Sequence, residues 1–130
     1  MKAMSIGALS AATGVNTETI RYYERTGLLP EPDRTPAGYR QYRPEHLRRL
    51  SFIRKGRELG FSIDAVRTLL RLAEHPDTPC EDADRIASDH LADVERKIEE
   101  LGRLRDALRG MTNCCAHSVA ECRIIDALAS

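Results

Sequence analysis

Thr17-Glu18-Thr19-Ile20-Arg21-Tyr22-Tyr23-Glu24-Arg25 is the stretch on which the fold turns. Asn16 or Thr17 can cap a helix that runs to Arg25, with Ile20 and Tyr23 spaced to pack inward. Gly27 ends it. Just upstream, Ser5-Ile6-Gly7-Ala8-Leu9-Ser10-Ala11-Ala12-Thr13 predicts a shorter helix with Ser5 as N-cap and Ile6, Leu9 and Ala12 on its inner face. Gly14 follows where the chain must turn, and a positive φ is expected there. Two helices joined by a glycine-containing tight turn, within about twenty residues, form a helix-turn-helix pattern.

Downstream, residues 28–42 hold three prolines and a glycine, so a hairpin or wing is expected in place of a helix. Pro44 opens a helix through about Leu59, with Leu47, Leu50, Phe52 and Ile53 as its apolar positions. Gly60 stops it, and Ser62 caps another carrying Ile63, Val66, Leu69, Leu70 and Leu72. His75-Pro76-Asp77-Thr78-Pro79 breaks the chain. From Cys80 to about Met111 there is no proline, and Ala87, Leu91, Val94, Ile98, Leu101 and Leu108 make an apolar seam of heptad type. Two coverings for that seam are open: a second copy in an antiparallel coiled coil, the more economical, or the small head. Residues 112–122 form a loop and Arg123–Leu128 a closing turn or two of helix.

The expected architecture is mainly α. Residues 1–75 form a winged helix-turn-helix head, 80–111 a long dimerisation helix, and 112–130 a metal-binding loop with a short terminal helix. The formal net charge of zero conceals a division. Residues 1–60 carry 11 Lys/Arg against 6 Asp/Glu, whereas residues 80–130 carry 7 against 11. A basic head on an acidic remainder suits a polyanion at one end only. No run of about 18 apolar residues and no signal peptide is visible, so a cytoplasmic protein with reduced thiols is expected.

A recognition helix packs one face and offers donors to the major groove on the other. Thr17, Arg21 and Tyr22 point away from Ile20 and Tyr23 and are the groove candidates. The wing offers Arg34, Tyr39 and Arg40 beside Gly38, whose missing Cβ permits close approach to a phosphate. Arg48, Arg49, Arg54 and Lys55 lie on the next helix and can reach the backbone, and Arg54 is the candidate among them. Any one arginine taken alone is equally a solvated surface group. Phosphate contacts bring affinity and position, not sequence choice.

Ile20-Arg21-Tyr22-Tyr23-Glu24-Arg25-x-Gly27-Leu28-Leu29, Gly38-Tyr39-Arg40-x-Tyr42, Leu47-x-x-Leu50-x-Phe52-Ile53 and Leu59-Gly60-Phe61-Ser62-Ile63 together resemble the MerR family of transcription regulators. The likeness runs along essentially the whole chain. It implies a winged helix-turn-helix homodimer joined by antiparallel long helices and bound to a near-palindrome between the two promoter elements. The family's spacer is usually too long for RNA polymerase, each extra base pair adding about 3.4 Å of rise. Bending and untwisting the centre corrects it at a cost of roughly 1–6 kcal/mol. Repression without inducer and activation with it is the implied behaviour, and the inducer's preference for the distorting state must cover that cost.

Cys114, Cys115 and Cys122 fall within nine residues, close enough for a short loop to bring them onto one ion. Thiolates select soft or borderline cations, and a nearby histidine leans toward Zn(II) over Cu(I). His117 is a candidate ligand, although a loop histidine is often only a surface group. Cys80 stands at the start of the long helix. In an antiparallel dimer it meets the other chain's Cys114 and Cys122. The resemblance implies that a cysteine at this place accompanies sensing of divalent ions, while Cu(I) sensors carry serine, and the doubled Cys114-Cys115 resembles the zinc sensors. Zn(II), with Cd(II) and Pb(II), is therefore the expected inducer. Cu(I) held by Cys114 and Cys122 alone, and thiol oxidation, are the competing readings. No glycine-rich phosphate loop, HExxH or nucleophilic triad is present, and His46, His75 and His90 are scattered and expected to be exposed, so an enzyme is not expected.

Overall fold

The computed structural model describes residues 3–112, 118–119 and 122–129, and the chain divides into two compact units, Met1–Ala83 and Asp84–Ser130. The first unit begins with α1 (Ile6–Thr13) and α2 (Thr17–Arg25). A two-stranded wing follows, β1 (Asp33–Arg34) and β2 (Arg40–Gln41), antiparallel with Asp33 opposite Gln41 and Arg34 opposite Arg40. Then come α3 (Pro44–Glu58) and α4 (Ile63–Ala73). The long helix α5 (Glu81–Met111) runs on into the second unit, which ends with α6 (Arg123–Ala129).

Three of the four helices of the head, α1, α2 and α4, start at a side-chain cap. Ser5 Oγ accepts from the Ala8 N–H, Asn16 Oδ1 from Thr19 and Ser62 Oγ from Ala65, at 3.1, 2.9 and 3.1 Å. At the end of α2 the Leu28 N–H returns to the Tyr23 carbonyl at 2.9 Å and the Gly27 N–H to Glu24 at 3.2 Å, with Gly27 at φ 78°. These paired bonds are a Schellman closure, and its apolar contact is between the buried Tyr23 and Leu28.

One core serves the head: Leu9, Ile20, Tyr23, Leu28, Leu29, Tyr42, Leu50, Ile53, Val66 and Leu70. The N-terminal segment closes it through reciprocal backbone bonds between Met4 and Tyr42, both 2.8 Å. On α3 the buried stripe is His46, Leu50 and Ile53. Phe52 does not join it and is 38% exposed, because it lies about 100° around the helix from Ile53. On α1 the inward position after Leu9 is Thr13 rather than Ala12, which is exposed. The Thr13 hydroxyl is satisfied by donating to the Leu9 carbonyl at 2.8 Å, which makes its burial affordable. Where α3 crosses α4, a Cβ on Gly56 would stand 2.9 Å from Val66 Cγ2, so the glycine permits the close approach.

His46 is a further correction. It is 3% exposed, not a surface histidine. Its Nδ1 accepts from the Arg43 N–H at 2.9 Å, filling the role that Glu or Gln has in a capping box, and its ring meets Tyr42 edge-on at 5.4 Å. Nε2 has no hydrogen-bond partner among the described residues.

The turn between α1 and α2 is held from α3. Gly14 has φ 75° and donates to the Ser10 carbonyl at 2.8 Å. Arg54 Nη1 donates to the Thr13 carbonyl, and that nitrogen lies 2.7 Å from where a Gly14 Cβ would stand. Gly14→Ala is therefore expected to cost about 1–3 kcal/mol, from left-handed strain and displacement of the guanidinium. A denaturant midpoint equal to that of the parent would refute the close fit.

In the second unit no residue of α5 is buried, and Leu91, Ile98, Leu101 and Leu108 are each about 60% exposed. Among the described residues no helix is long and apolar enough to cross a membrane.

Candidate nucleic-acid interface and metal ligands

α2 presents the two faces its sequence implies. Ile20 and Tyr23 are buried, whereas Thr17 and Arg21 are part-exposed and Tyr22 is exposed. Arg21 Nη1 lies 2.7 Å from Glu18 Oε1 on the same outer surface. Exposed pairs of this kind contribute little and yield readily to a phosphate or base edge. The Arg25 guanidinium lies 5.9 Å from the centre of the Tyr22 ring, whose other ring neighbour is Tyr23 at 6.2 Å.

The wing is built to hold a tight tip. Thr35 N–H donates to the Tyr39 carbonyl and Gly38 N–H to the Thr35 carbonyl, both at 2.8 Å, and Arg34 Nη1 donates to the Gly38 carbonyl at 2.9 Å. Gly38 takes φ 91°, and Tyr39 projects into solvent. Cross-strand pairing sets Arg34 beside Arg40, and both line a cleft of about 190 Å³ with Arg21 and Arg25 of α2. Four guanidinium groups around one cleft make a strong anion-attracting surface, moderated by Glu24 and Glu31 in the same wall.

Glu24 was not singled out by the sequence reading, yet it fixes the wing to the recognition helix. Its side chain is 8% exposed, with Oε1 3.3 Å from Arg40 Nε and Oε2 accepting from the Tyr42 hydroxyl at 2.6 Å. Burial first, and then the bond to the Glu24 carboxylate, push the Tyr42 phenol well above its ordinary range, so the hydroxyl remains a donor. Removing either partner would leave a buried carboxylate oxygen unpaired. The pattern Glu24…Tyr42 carries no local signal, because the two residues meet only after the wing folds back.

Arg54 has two of its nitrogens engaged, Nε with Glu58 at 2.8 Å and Nη1 with the Thr13 carbonyl. Arg49 is likewise occupied, whereas Arg48 is exposed at the mouth of a cleft shared with Arg43 and Asp33.

Of the candidate metal ligands, Cys80 is an exposed free thiol one residue ahead of α5, and Cys122 is a half-buried free thiol one residue ahead of α6. Cys114, Cys115 and His117 lie outside the described residues. Among the described residues of a single chain no three His, Cys, Asp or Glu side chains converge as a metal site. Each of these two thiols is of the donor type that soft and borderline cations prefer.

A helix-turn-helix with an arginine-lined wing locked to its recognition helix defines a DNA-binding transcription regulator, not an enzyme. Residues 4–73 match the family model for the MerR HTH family regulatory protein, and residues 47–111 match that for MerR, DNA binding. The chain belongs to the MerR family. It is 41% identical over 125 residues to a mercuric resistance operon regulatory protein of Bacillus cereus, covering 95% of both. It is 37% identical over 127 residues to the HTH-type transcriptional regulator ZntR of Escherichia coli K12, covering 95% of this chain and 90% of that one. Among solved structures, the transcription regulator PbrR691 of Ralstonia metallidurans CH34 in complex with lead(II) superposes with a TM-score of 0.80 at 36% identity, over 96% of this chain and 98% of that one.

Proposed function

We propose that the protein is a cytoplasmic, metal-responsive regulator that binds promoter DNA as a homodimer and activates transcription by RNA polymerase when Zn(II), Cd(II) or Pb(II) binds. The observation carrying this reading is α5, a helix of 31 residues with an exposed apolar line. It has a free thiol just before its start and three cysteines beyond its end. Burying the remaining exposed surface of Leu91, Ile98, Leu101 and Leu108 in each protomer gains roughly 7–14 kcal/mol over two chains, of the same order as the about 4–15 kcal/mol lost on association. Antiparallel pairing brings Cys80 of one protomer to Cys114 and Cys122 of the partner subunit. Cys115 and His117 are then available to a second ion. When bound, the cation bonds to thiolates of both subunits and so restrains the two heads together. The names of the relatives, which speak of mercury resistance and of bound lead(II), support a soft divalent ion.

In this reading Thr17, Arg21 and Tyr22 enter the major groove, and Arg34, Gly38, Tyr39 and Arg40 grip the flanking backbone. Arg54 steadies the α1–α2 turn and offers what donor capacity remains to a phosphate. The deciding experiment is in-vitro transcription from the cognate promoter, titrated with buffered Zn(II), Cd(II), Pb(II), Hg(II) and Cu(I). Induction by Zn(II), Cd(II) or Pb(II) is expected. A promoter turned on only by Cu(I), or only by an oxidant without metal, refutes the assignment.

A further inference from the structure

Metal sensing requires that an event at Cys80 reach α2, and one arginine of α3 touches both ends of that path within the first unit. Arg49 Nε donates to the Leu28 carbonyl at 2.7 Å. Its Nη1 donates to Glu74 Oε1 at 2.9 Å. Leu28 is fully buried and closes the recognition helix, its N–H bonded to Tyr23. Glu74 is the C-cap of α4 and the point from which the chain departs toward Cys80. α4 holds the same end of α2 a second time, through Arg67 Nη1 donating to the Thr26 carbonyl at 3.4 Å.

The stretch from Glu74 to Cys80 is short and stiff. Pro76 and Pro79 fix φ at two positions. The His75 and Thr78 N–H groups close successive turns on the Leu72 and His75 carbonyls at 3.0 and 2.9 Å. A displacement at Cys80 is therefore passed on to Glu74 instead of being absorbed. The guanidinium is planar, with donors in fixed directions, so it cannot follow a moving Glu74 without reorienting its bond to Leu28.

We infer that Arg49 is a positioning residue that couples the exit of α4 to the recognition helix, so that metal binding at Cys80 alters the pose of α2 through Glu74 and the Leu28 carbonyl. The inference rests on the metal-sensing reading above. It assigns Arg49 to signal transfer, in contrast to a role in gripping DNA.

The test uses the full-length protein as parent, Arg49→Ala, Arg49→Lys, Glu74→Ala and the Arg49→Ala/Glu74→Ala double variant. Three quantities are measured: operator affinity without metal, the ratio of Zn(II)-induced to basal transcription, and exchange of the Leu28 and Leu29 amides without metal. Arg49→Ala and Glu74→Ala are each expected to lower the induction ratio about tenfold. Metal-free operator affinity of Glu74→Ala should stay within about threefold of the parent, as for loss of a half-exposed ion pair. Arg49→Lys should not rescue induction, since a point charge cannot serve both acceptors in fixed geometry. The double variant should be no worse than the poorer single, as for two members of one path. In metal-free Arg49→Ala the Leu28 and Leu29 amides should exchange faster than in the parent. Should Arg49→Ala not fold, Glu74→Ala decides alone, because it removes only a half-exposed partner. A parent that responds to metal beside variants that respond equally well overturns the relay alone. A parent indifferent to every ion overturns the metal-sensing reading and the relay with it.

Discussion

Replacing Cys80 by serine is expected to abolish induction by Zn(II), Cd(II) and Pb(II) while operator binding without metal is preserved. The thiol is exposed and free, and it lies outside the buried core of the head, so its loss should leave folding intact. A serine hydroxyl stays protonated near neutral pH and is a poor ligand for a soft or borderline cation. Structural zinc sites bind with apparent energies of about 10–16 kcal/mol, so an equal share among four ligands is about 2.5–4 kcal/mol each. That corresponds to roughly a hundredfold weaker binding or more. Metal affinity by competition with a chelator and transcription with buffered ions measure the effect together. Parent-like induction by divalent ions in Cys80→Ser would remove the intersubunit site from consideration. Induction surviving for Cu(I) alone would point to a two-cysteine site on Cys114 and Cys122.

Arg21→Ala is expected to abolish operator footprints at protein concentrations where the parent protects fully. Arg21 is part-exposed on the outer face of α2, and its partner Glu18 is an exposed neighbour that a nucleic acid readily replaces. A lost arginine contact costs about 1–3 kcal/mol per half-site, or about 2–6 kcal/mol for a dimer that presents the residue twice. Affinity should then fall about thirtyfold or more. Sedimentation should report the same oligomer as the parent and thermal melting an unchanged head, because the Arg21 guanidinium bonds the exposed Glu18 and not a core side chain among the described residues. A normal footprint from Arg21→Ala would mean that α2 does not read the groove with this face. Quantitative binding at several salt concentrations separates a phosphate contact, which lowers the salt slope, from a base contact, which does not.

The two expectations differ in how far sequence alone supports them. For Arg21, the faces of α2 follow from Ile20 and Tyr23, and their burial matches that reading. For Cys80, sequence identifies a thiol at a helix start, but the partners proposed for it are on a second copy of the chain, and Cys114 lies outside the described residues. The arginines divide in a way no local pattern reveals. Arg40 is drawn to Glu24, Arg54 to the Thr13 carbonyl and Arg49 to Leu28 and Glu74, all across sequence separations from 16 to 41 residues. His46 shows the same limit, since a histidine after Pro44 has the composition of a surface turn but caps the backbone from inside.

From sequence alone one could obtain the order of the elements, the caps at Ser5, Asn16 and Ser62, the left-handed Gly14, the wing between two helices and membership of the family. Those properties are encoded within a few neighbouring residues, through backbone sterics, capping oxygens and apolar periodicity. Only the tertiary structure decided which cations remain available to a polyanion, that Glu24 and Tyr42 bind the wing to the recognition helix, and that Thr13 and His46 are buried where Ala12 and Phe52 are not. Those outcomes depend on which distant groups the packed core brings within hydrogen-bonding reach, and a buried polar group is stable only where such a partner arrives.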